Sequence, residues 1–163
     1  MIYYLAVPDL ASTDRWRQTH LGRLLALASH RFDARVLTVM AHSDELALAL
    51  SNLVARGKLT ASHIQITRHL PLAGCSLTEL AARAGITKQA MGKLADQCAA
   101  WDLVHRTADP RDARAIRLAF TPTGVQWLQA FRQAVHQAEV EFDQAVGVDV
   151  ATVIRLGLEA YAA

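Results

Sequence analysis

Apolar side chains recur every three or four residues along the first quarter of the chain, which is the periodicity of an amphipathic helix. The pattern runs from Asp14 to about Ala41 and predicts one long helix there. A second apolar run, with Ser43 as candidate N-cap and Gly57 as a stop, predicts a shorter helix. A third predicted helix begins at Thr60 or Ser62, either of which can act as its N-cap, and ends before Pro71.

The middle of the chain carries the start and stop signals of two short helices joined by a tight turn. Ser76 and Glu79 have the spacing of a capping box, which predicts a helix start. That helix reaches Gly85, and Thr87 then caps a second helix that runs to about Trp101. A helix–turn–helix also needs a small residue at its fifth position and apolar residues near its fifteenth and eighteenth. Counted from Leu77, these are Ala81, Met91 and Leu94.

After the helix pair the pattern changes to the period of two that is typical of strands. The segment 103–107 has an extended pattern, 108–113 is turn-like, and 115–120 alternates apolar and polar side chains. These segments predict a β-hairpin with a charged tip. The order of helices, helix–turn–helix and charged hairpin is the plan of a winged helix.

The C-terminal part is predicted to be helical again. Thr121 and Pro122 supply a cap and a proline at the first helical position. Gly147 ends this helix, and Asp149 is the candidate cap of a last one. The long helix carries a coiled-coil-like apolar seam: Leu128, Phe131, Val135, Ala138, Phe142 and Ala145.

The predicted fold is therefore mainly α with a small β-hairpin wing. It consists of a winged helix–turn–helix with dimerisation helices at both ends. Residues 1–57 are predicted to be the N-terminal helices, 58–120 the winged helix–turn–helix, and 121–163 the C-terminal helices. A chain of 163 residues suffices for one such domain or for two small lobes that share a core.

Composition narrows the class of protein. With 52% hydrophobic and 20% charged residues the chain is globular and not disordered. The uncharged stretch from Leu46 to Ala55 is too short to cross a bilayer, and the N-terminus lacks the basic start of a secretory signal. Two cysteines, Cys75 and Cys98, cannot form a disulfide framework. We therefore expect a cytoplasmic protein without membrane contact.

The charges are unevenly distributed, although the net charge is only +2. Between Lys58 and Leu118 there are nine basic and five acidic residues, whereas acidic residues exceed basic ones elsewhere. A basic middle is what phosphate contact requires. Side chains suited to the major groove stand at the start of the second helix of the pair, the predicted recognition helix: Thr87, Lys88, Gln89, Gly92 and Lys93.

These residues resemble the MarR family of winged-helix transcriptional regulators. The resemblance spans about Arg31 to Ala134 and is densest in LTELAARAGITKQA (77–90) and DPRDARAIRL (109–118), followed by TPTG (121–124). Two features depart from the family pattern. The segment 43–57 looks like an insertion between the first two helices of the family, and Trp101 stands where the family often has glycine.

The resemblance implies an obligate homodimer whose N- and C-terminal helices form the interface and whose two lobes bind a palindromic operator on double-stranded DNA. In the family's Asp-x-Arg wing motif the arginine enters the minor groove and the aspartate steadies the wing. Asp112 and Arg114 match this motif, and Arg111 lies beside it. A small aromatic or anionic effector between the dimer helices and the DNA lobe is also implied, with these side chains as candidate lining: Trp16, His20, Phe32, His63 and Arg68.

Alternatives remain open at this point. A winged helix can serve as a protein–protein interaction module that binds no DNA, and a cysteine-based redox-sensing regulator would need an exposed thiol of low pKa. No phosphate loop, zinc-protease motif or nucleophile elbow is present, so we predict neither an enzyme nor a cofactor. The seven histidines include no pair three or four residues apart, and no metal site is predicted. A DNA-binding regulator is the favoured interpretation, and the resemblance to the family implies a repressor.

Overall fold

The structure is a computed structural model that describes the backbone of residues 10–44, 46–109 and 112–163. Side chains are described over the same ranges except at 10–13, 109 and 112–115. The described elements, in chain order, are α1 (Leu10–Thr19), α2 (Leu21–Ala41), α3 (Leu48–Ala55), α4 (Ala61–His69), β1 (Cys75–Ser76), α5 (Leu77–Arg83), α6 (Lys88–Ala100), β2 (Val104–Asp109), β3 (Asp112–Phe120), α7 (Pro122–Val146) and α8 (Val148–Ala162).

The predicted fold class is confirmed, because the chain is mostly helical with one small antiparallel sheet. The sheet order is β1-β3-β2, and β2 and β3 form the predicted hairpin. The third strand was not predicted. It pairs Cys75 with Leu118 and Ser76 with Arg117, and two residues are too few to show any periodicity.

The core lies where α4, α5, α6 and the sheet meet α2 and α7. Its largest fully buried side chains come from these parts and from the loop before α4: Trp127, Met40, Leu59, Ile64, Ile66, Leu80, Met91, Val36 and Val104. The indole N–H of Trp127 donates to Thr67 Oγ1 at 2.9 Å, which satisfies the polar atom of the largest buried side chain. The winged helix and the helices around it therefore share one core.

The N-terminal helix prediction is wrong in two details. The helix expected from Asp14 to Ala41 is divided into α1 and α2, because His20 leaves the helical path and its ring accepts the backbone N–H of Arg23 at 3.3 Å. Ser43 is not the cap of the following helix, since α3 begins after Ala47. The side chains of α3 that face the core are Leu50, Ser51 and Val54.

Four other helix starts with a hydroxyl cap are confirmed. Ser76, Thr87 and Thr121 each stand at the N-cap of a helix, as predicted, and of the two candidates for α4 the cap is Thr60. Ser76 Oγ accepts the N–H of Glu79, but the Glu79 carboxylate binds Arg83 at 2.7 Å instead of completing the capping box. The predicted cap at Asp149 is wrong: Gly147, with a φ of 89°, stands at the N-cap and Asp149 lies in the first turn of α8.

The predicted seam of α7 is correct only in part. Phe131 and Ala138 are buried as expected, whereas Leu128 and Val135 are half-buried against the core. The buried face of the helix is rotated slightly from the predicted one, so that it also includes other residues: Gly124, Trp127, Ala130 and Ala134. This face packs chiefly on α2 and, through Gly124, on Leu103 just before β2.

Candidate nucleic-acid interface

The helix–turn–helix is formed by α5 and α6. Gly85 has a φ of 65° in the turn between them, a left-handed conformation that favours glycine. Ala81 is buried where the two helices cross, Met91 is fully buried and Leu94 packs against the core. The four positions predicted for this motif therefore play the expected packing roles.

The first turns of α6 present a polar surface to solvent. Lys88, Gln89 and Lys93 are exposed, and Gly92 is half-buried near the Leu77 side chain. Thr87 is exposed too, but its hydroxyl accepts the N–H of Ala90 at 3.2 Å. Because Gln89 and Lys93 are four residues apart, they share one face of the helix. The structure thus brings the predicted recognition residues together on one open surface.

Contacts at the other end of α6 hold this helix on the rest of the lobe. Asp96 forms an ion pair of 2.5 Å with Arg106 of β2. Gln97 Oε1 lies 2.9 Å from Nε2 of His63 on α4, and the rings of His63 and Trp101 are 4.9 Å apart. Trp101, which departs from the family pattern, therefore packs on a buried histidine at the C-cap of α6.

The structure describes the backbone of the wing except at its tip, residues 110 and 111. Pairing of β2 with β3 extends from Val104 and Phe120 outward, with an irregularity next to Asp109. Arg111 and the side chains of Asp112 and Arg114 lie outside the described residues, so their predicted roles stay predictions.

Arg117 is a side chain at the base of the wing that sequence reasoning missed. Its guanidinium donates to the carbonyl oxygens of Ala73 and Gly74, at 3.1 and 2.6 Å. These bonds tie β3 to the loop before α5. No sequence signal could have identified them, because they join residues more than forty positions apart.

Two arginines act on His69 at the C-terminus of α4. The pKa of His69 is lowered by partial burial and then by the charges of Arg68 and Arg83. Both arginines also form ion pairs with carboxylates, Arg68 with Asp33 and Arg83 with Glu79.

The predicted effector-pocket residues occupy separate places. Trp16 and His20 stack with their ring centroids 5.3 Å apart on the exposed junction of α1 and α2. Arg68 forms an ion pair with the buried Asp33, and Phe32 packs against the core. His63 lines a cavity of only about 10 Å³ between α4, α6, β2 and α7, with room for one water molecule at most. Trp16 and His20 line one open cavity, but no described contact joins it to Phe32, His63 or Arg68, so the predicted pocket remains a prediction.

Both cysteines are buried and carry free thiols. Burial raises the pKa of the Cys98 thiol to about 12. Burial, with the Glu79 charge, also raises the pKa of Cys75. A redox-sensing thiol needs the opposite environment, so these residues give the redox alternative no support.

Large apolar side chains remain uncovered at both ends of the chain. On α1 and α2 they are Trp16, Leu21, Leu24 and Leu27, and on α8 they are Val148, Val150, Val153, Leu156 and Tyr161. Monomeric proteins rarely expose large apolar patches, so these side chains are candidates for contact with another chain. None of the described helices is long and apolar enough to cross a membrane. Over the same residues, no three potential metal ligands form a group.

Comparison with known proteins agrees with this geometry. A sequence model of the MarR family matches residues 59–115, while no curated protein matches the chain. Among solved structures, wild-type MarR from E. coli in its apo form has a TM-score of 0.63 at 21% identity, covering 87% of this chain and 96% of that one. CouR of Rhodococcus jostii RHA1, a repressor solved on a 23-mer DNA duplex, has a TM-score of 0.64 at 22% identity, covering 99% and 100%.

A third neighbour is BpsR of Bordetella bronchiseptica, whose DNA binding is regulated by 6-hydroxynicotinic acid. Its TM-score is 0.64 at 19% identity, covering 88% of this chain and 98% of that one. At sequence identities this low, the structural similarity establishes the fold alone. The resemblance predicted from the sequence is thereby confirmed: the chain has the fold of the MarR regulators, and its residues 59–115 match the MarR family.

Proposed function

We propose that this protein is a transcriptional regulator that binds a palindromic operator on double-stranded DNA as a homodimer and represses transcription. The observation that carries the proposal is the open polar surface of α6, where Gln89 and Lys93 stand side by side on a helix held firmly at its other end. An amide can bond adenine bidentately, and an ammonium can bind guanine or phosphate. A protein–protein module would not require this basic surface.

The uncovered apolar faces of α1, α2 and α8 support a homodimer. Residues 1–57 and 121–163 would supply its interface, and residues 58–120 would bind DNA. Two recognition helices related by a two-fold axis would meet half-sites about one helical turn, roughly 34 Å, apart. The operator should therefore have inverted symmetry.

DNA binding is tested by selecting duplexes from a random pool and measuring affinity at several salt concentrations. Gln89→Ala should lose about 1–3 kcal/mol of discrimination at one base position, because a base contact is specific. Lys93→Ala should weaken all sequences alike and lower the salt slope by about one. Lys58→Ala, an exposed lysine outside α6, is the matched control and should leave sequence preference unchanged. Absence of salt-sensitive duplex binding by the unmodified protein would refute the proposal.

The wing supplies a second test of the same function. Arginine suits a narrow minor groove because its guanidinium is weakly hydrated. Arg114→Ala and Arg114→Lys should both weaken operator binding strongly. Asp112→Ala should also weaken it if the aspartate steadies the wing. Tighter binding by this variant at every salt concentration would show that Asp112 is merely a repelling charge.

Dimerisation is tested by placing a charge in the uncovered face of α8. Val153→Asp should shift the protein toward monomers in sedimentation, because Val153 is 69% exposed in the single chain and would be buried in the dimer. Thr78→Asp, at an exposed position of α5 outside the proposed interface, is the control. An unchanged dimer of the Val153 variant would exclude this face from the interface.

A small aromatic or anionic effector that lowers DNA affinity belongs to the same proposal. The ligand-regulated neighbour BpsR supports it, as does the arginine-rich junction beside the stacked Trp16 and His20. Titration of the DNA complex with aromatic carboxylates tests it: release by one such compound, lost in Trp16→Ala, is the expected result.

A further inference from the structure

The sheet changes from three strands to two at Arg117. Strand β1 pairs with β3 through two residues, Cys75 with Leu118 and Ser76 with Arg117. Outward of Arg117, the described part of β3 pairs with β2 alone, as it does at Ile116. A two-stranded hairpin is only marginally stable by itself, so the angle at which the wing leaves the lobe depends on how its base is held.

Arg117 holds this base from the outer face of the sheet. Successive strand residues point to opposite faces, and Leu118 is buried in the core, so the half-buried Arg117 side chain leaves the sheet on the other side. Its Nη2 donates to the carbonyl oxygens of Ala73 at 3.1 Å and Gly74 at 2.6 Å. Both hydrogens of this nitrogen are therefore used in bonds within the lobe.

The loop that accepts these bonds packs against β3 and leads directly into the helix–turn–helix. Gly74 has a φ of 73°, and its N–H donates to the carbonyl oxygen of Pro71 at 2.8 Å. A Cβ at Gly74 would lie 2.6 Å from the carbonyl oxygen of Leu118, so the loop approaches the strand more closely than a side chain would allow. Two residues later Ser76 caps α5. Arg117 therefore ties the start of α5 to the base of the wing.

We propose that Arg117 is a positioning residue for DNA binding, a clamp that sets the angle between the wing and the helix–turn–helix. Arg114 lies three residues farther along β3, roughly 10 Å away at about 3.3 Å per residue, so a rotation at the clamp becomes a displacement of the wing. The inference rests on the DNA-binding function proposed above, in which α6 enters the major groove and Arg114 the minor groove. Both grooves are engaged together only while the wing keeps this angle.

A double-mutant cycle on the selected duplex separates the clamp from a direct phosphate contact by Arg117. Arg117→Met removes the donors and should weaken binding by roughly three- to thirtyfold, because the free protein no longer favours the arrangement that DNA selects. In that background Arg114→Ala should cost much less affinity than in the unmodified protein, since a misplaced wing has little contact to lose. An independent phosphate contact by Arg117 would give additive effects.

Two controls limit the interpretation to the wing. Arg132→Met makes the same change at an exposed position of α7 and should alter neither the affinity nor the cost of Arg114→Ala. Gln89→Ala on α6 should cost the same with and without Arg117→Met, because the clamp acts on the wing and not on the recognition helix. General destabilisation would weaken binding without changing either cost. Additive effects of Arg117→Met and Arg114→Ala would overturn the proposal.

Amide hydrogen exchange of the full-length protein tests the clamp without DNA. In Arg117→Met, peptides that cover residues 73–77 and 116–120 should exchange roughly three- to thirtyfold faster, while peptides from α7 should not change. Unchanged exchange in both peptides would also overturn the proposal. If the unmodified protein binds no duplex, the proposed function fails and the positioning role fails with it. The exchange result still shows in that case whether Arg117 holds β1 and the wing together.

Discussion

Replacing Gly124 with alanine should destabilise the protein, although the same change usually stabilises a helix. Gly124 lies in the first turn of α7, and its N–H donates to Thr121 Oγ1 at 2.9 Å. A Cβ built at this position would lie 1.9 Å from the carbonyl oxygen of Leu103 and 3.1 Å from Phe120 Cδ1. Glycine is therefore required because another backbone segment passes directly against the helix.

The magnitude follows from that contact. Carbon–oxygen contacts are normally about 3.3 Å, so the two backbone segments must separate by about 1.4 Å. The Leu103 carbonyl accepts the N–H of Thr121 at 3.1 Å, and moving it sacrifices a bond that contributes about 1 kcal/mol. Overpacking adds about 1–3 kcal/mol. The free energy of unfolding should fall by about 2–4 kcal/mol, which lowers Tm by roughly 4–16 °C for a chain of this size.

Thermal and urea unfolding at one fixed protein concentration measure this change, because dimerisation makes Tm concentration-dependent. Gly92→Ala is the control: it lies inside α6, where a Cβ would meet Leu77 Cδ2 at an ordinary 3.7 Å. That substitution should raise the free energy of unfolding by up to about 1 kcal/mol. If Gly124→Ala is as stable as Gly92→Ala, α7 does not approach Leu103 as described.

Three further predictions concern ionisable groups. Asp33→Ala should lower the free energy of unfolding by about 3 kcal/mol in urea titrations, because it leaves Arg68 without the carboxylate that neutralises it. Glu79→Ala, which breaks an exposed ion pair, is the comparison, and a loss for Asp33→Ala no greater than that of Glu79→Ala would contradict this prediction. Hydrogen bonds from Arg35 hold the pKa of Glu141 at about 2, below its value in the unfolded chain. The ion pair therefore contributes stability above about pH 4, and this contribution is lost as the pH falls toward 2. Glu141→Gln should therefore flatten the fall of Tm between pH 5 and 2, and an unchanged profile would be the opposing result. A thiol-alkylating reagent at pH 8 should leave Cys98 unmodified in the native protein and label it in denaturant, as mass spectrometry would show. Rapid native labelling would argue against its burial and its pKa of about 12.

Much of the site was predictable because its signals are local. A hydroxyl at an N-cap accepts a hydrogen bond from a backbone N–H three residues away. The helix starts at Ser76, Thr87 and Thr121 can therefore be predicted from the sequence alone. Gly85 supplies the left-handed turn, and the alternation after Ala115 predicts a strand. The polar face of α6 follows from helical periodicity once those boundaries are known.

Helix boundaries without such a signal were predicted less well. Apolar periodicity continues through His20, so the break between α1 and α2 could not be seen in the pattern. α8 begins directly after Gly147, whose positive φ sets the helix start, and Asp149 lies in the first turn instead of at the N-cap. Both outcomes depend on backbone conformation and not on side-chain polarity.

The sequence by itself determined the order of the elements, the helix–turn–helix and the polar surface of its second helix, because each depends on residues within one or two helical turns. Only the tertiary structure decided which face of α7 is buried, that a third strand pairs with the wing, and that α7 passes against Leu103. It also decided that His63 reaches Gln97 and that Arg117 bonds the loop before α5. These contacts join residues far apart along the chain, and no local pattern encodes the distance between segments that meet only after the core has packed.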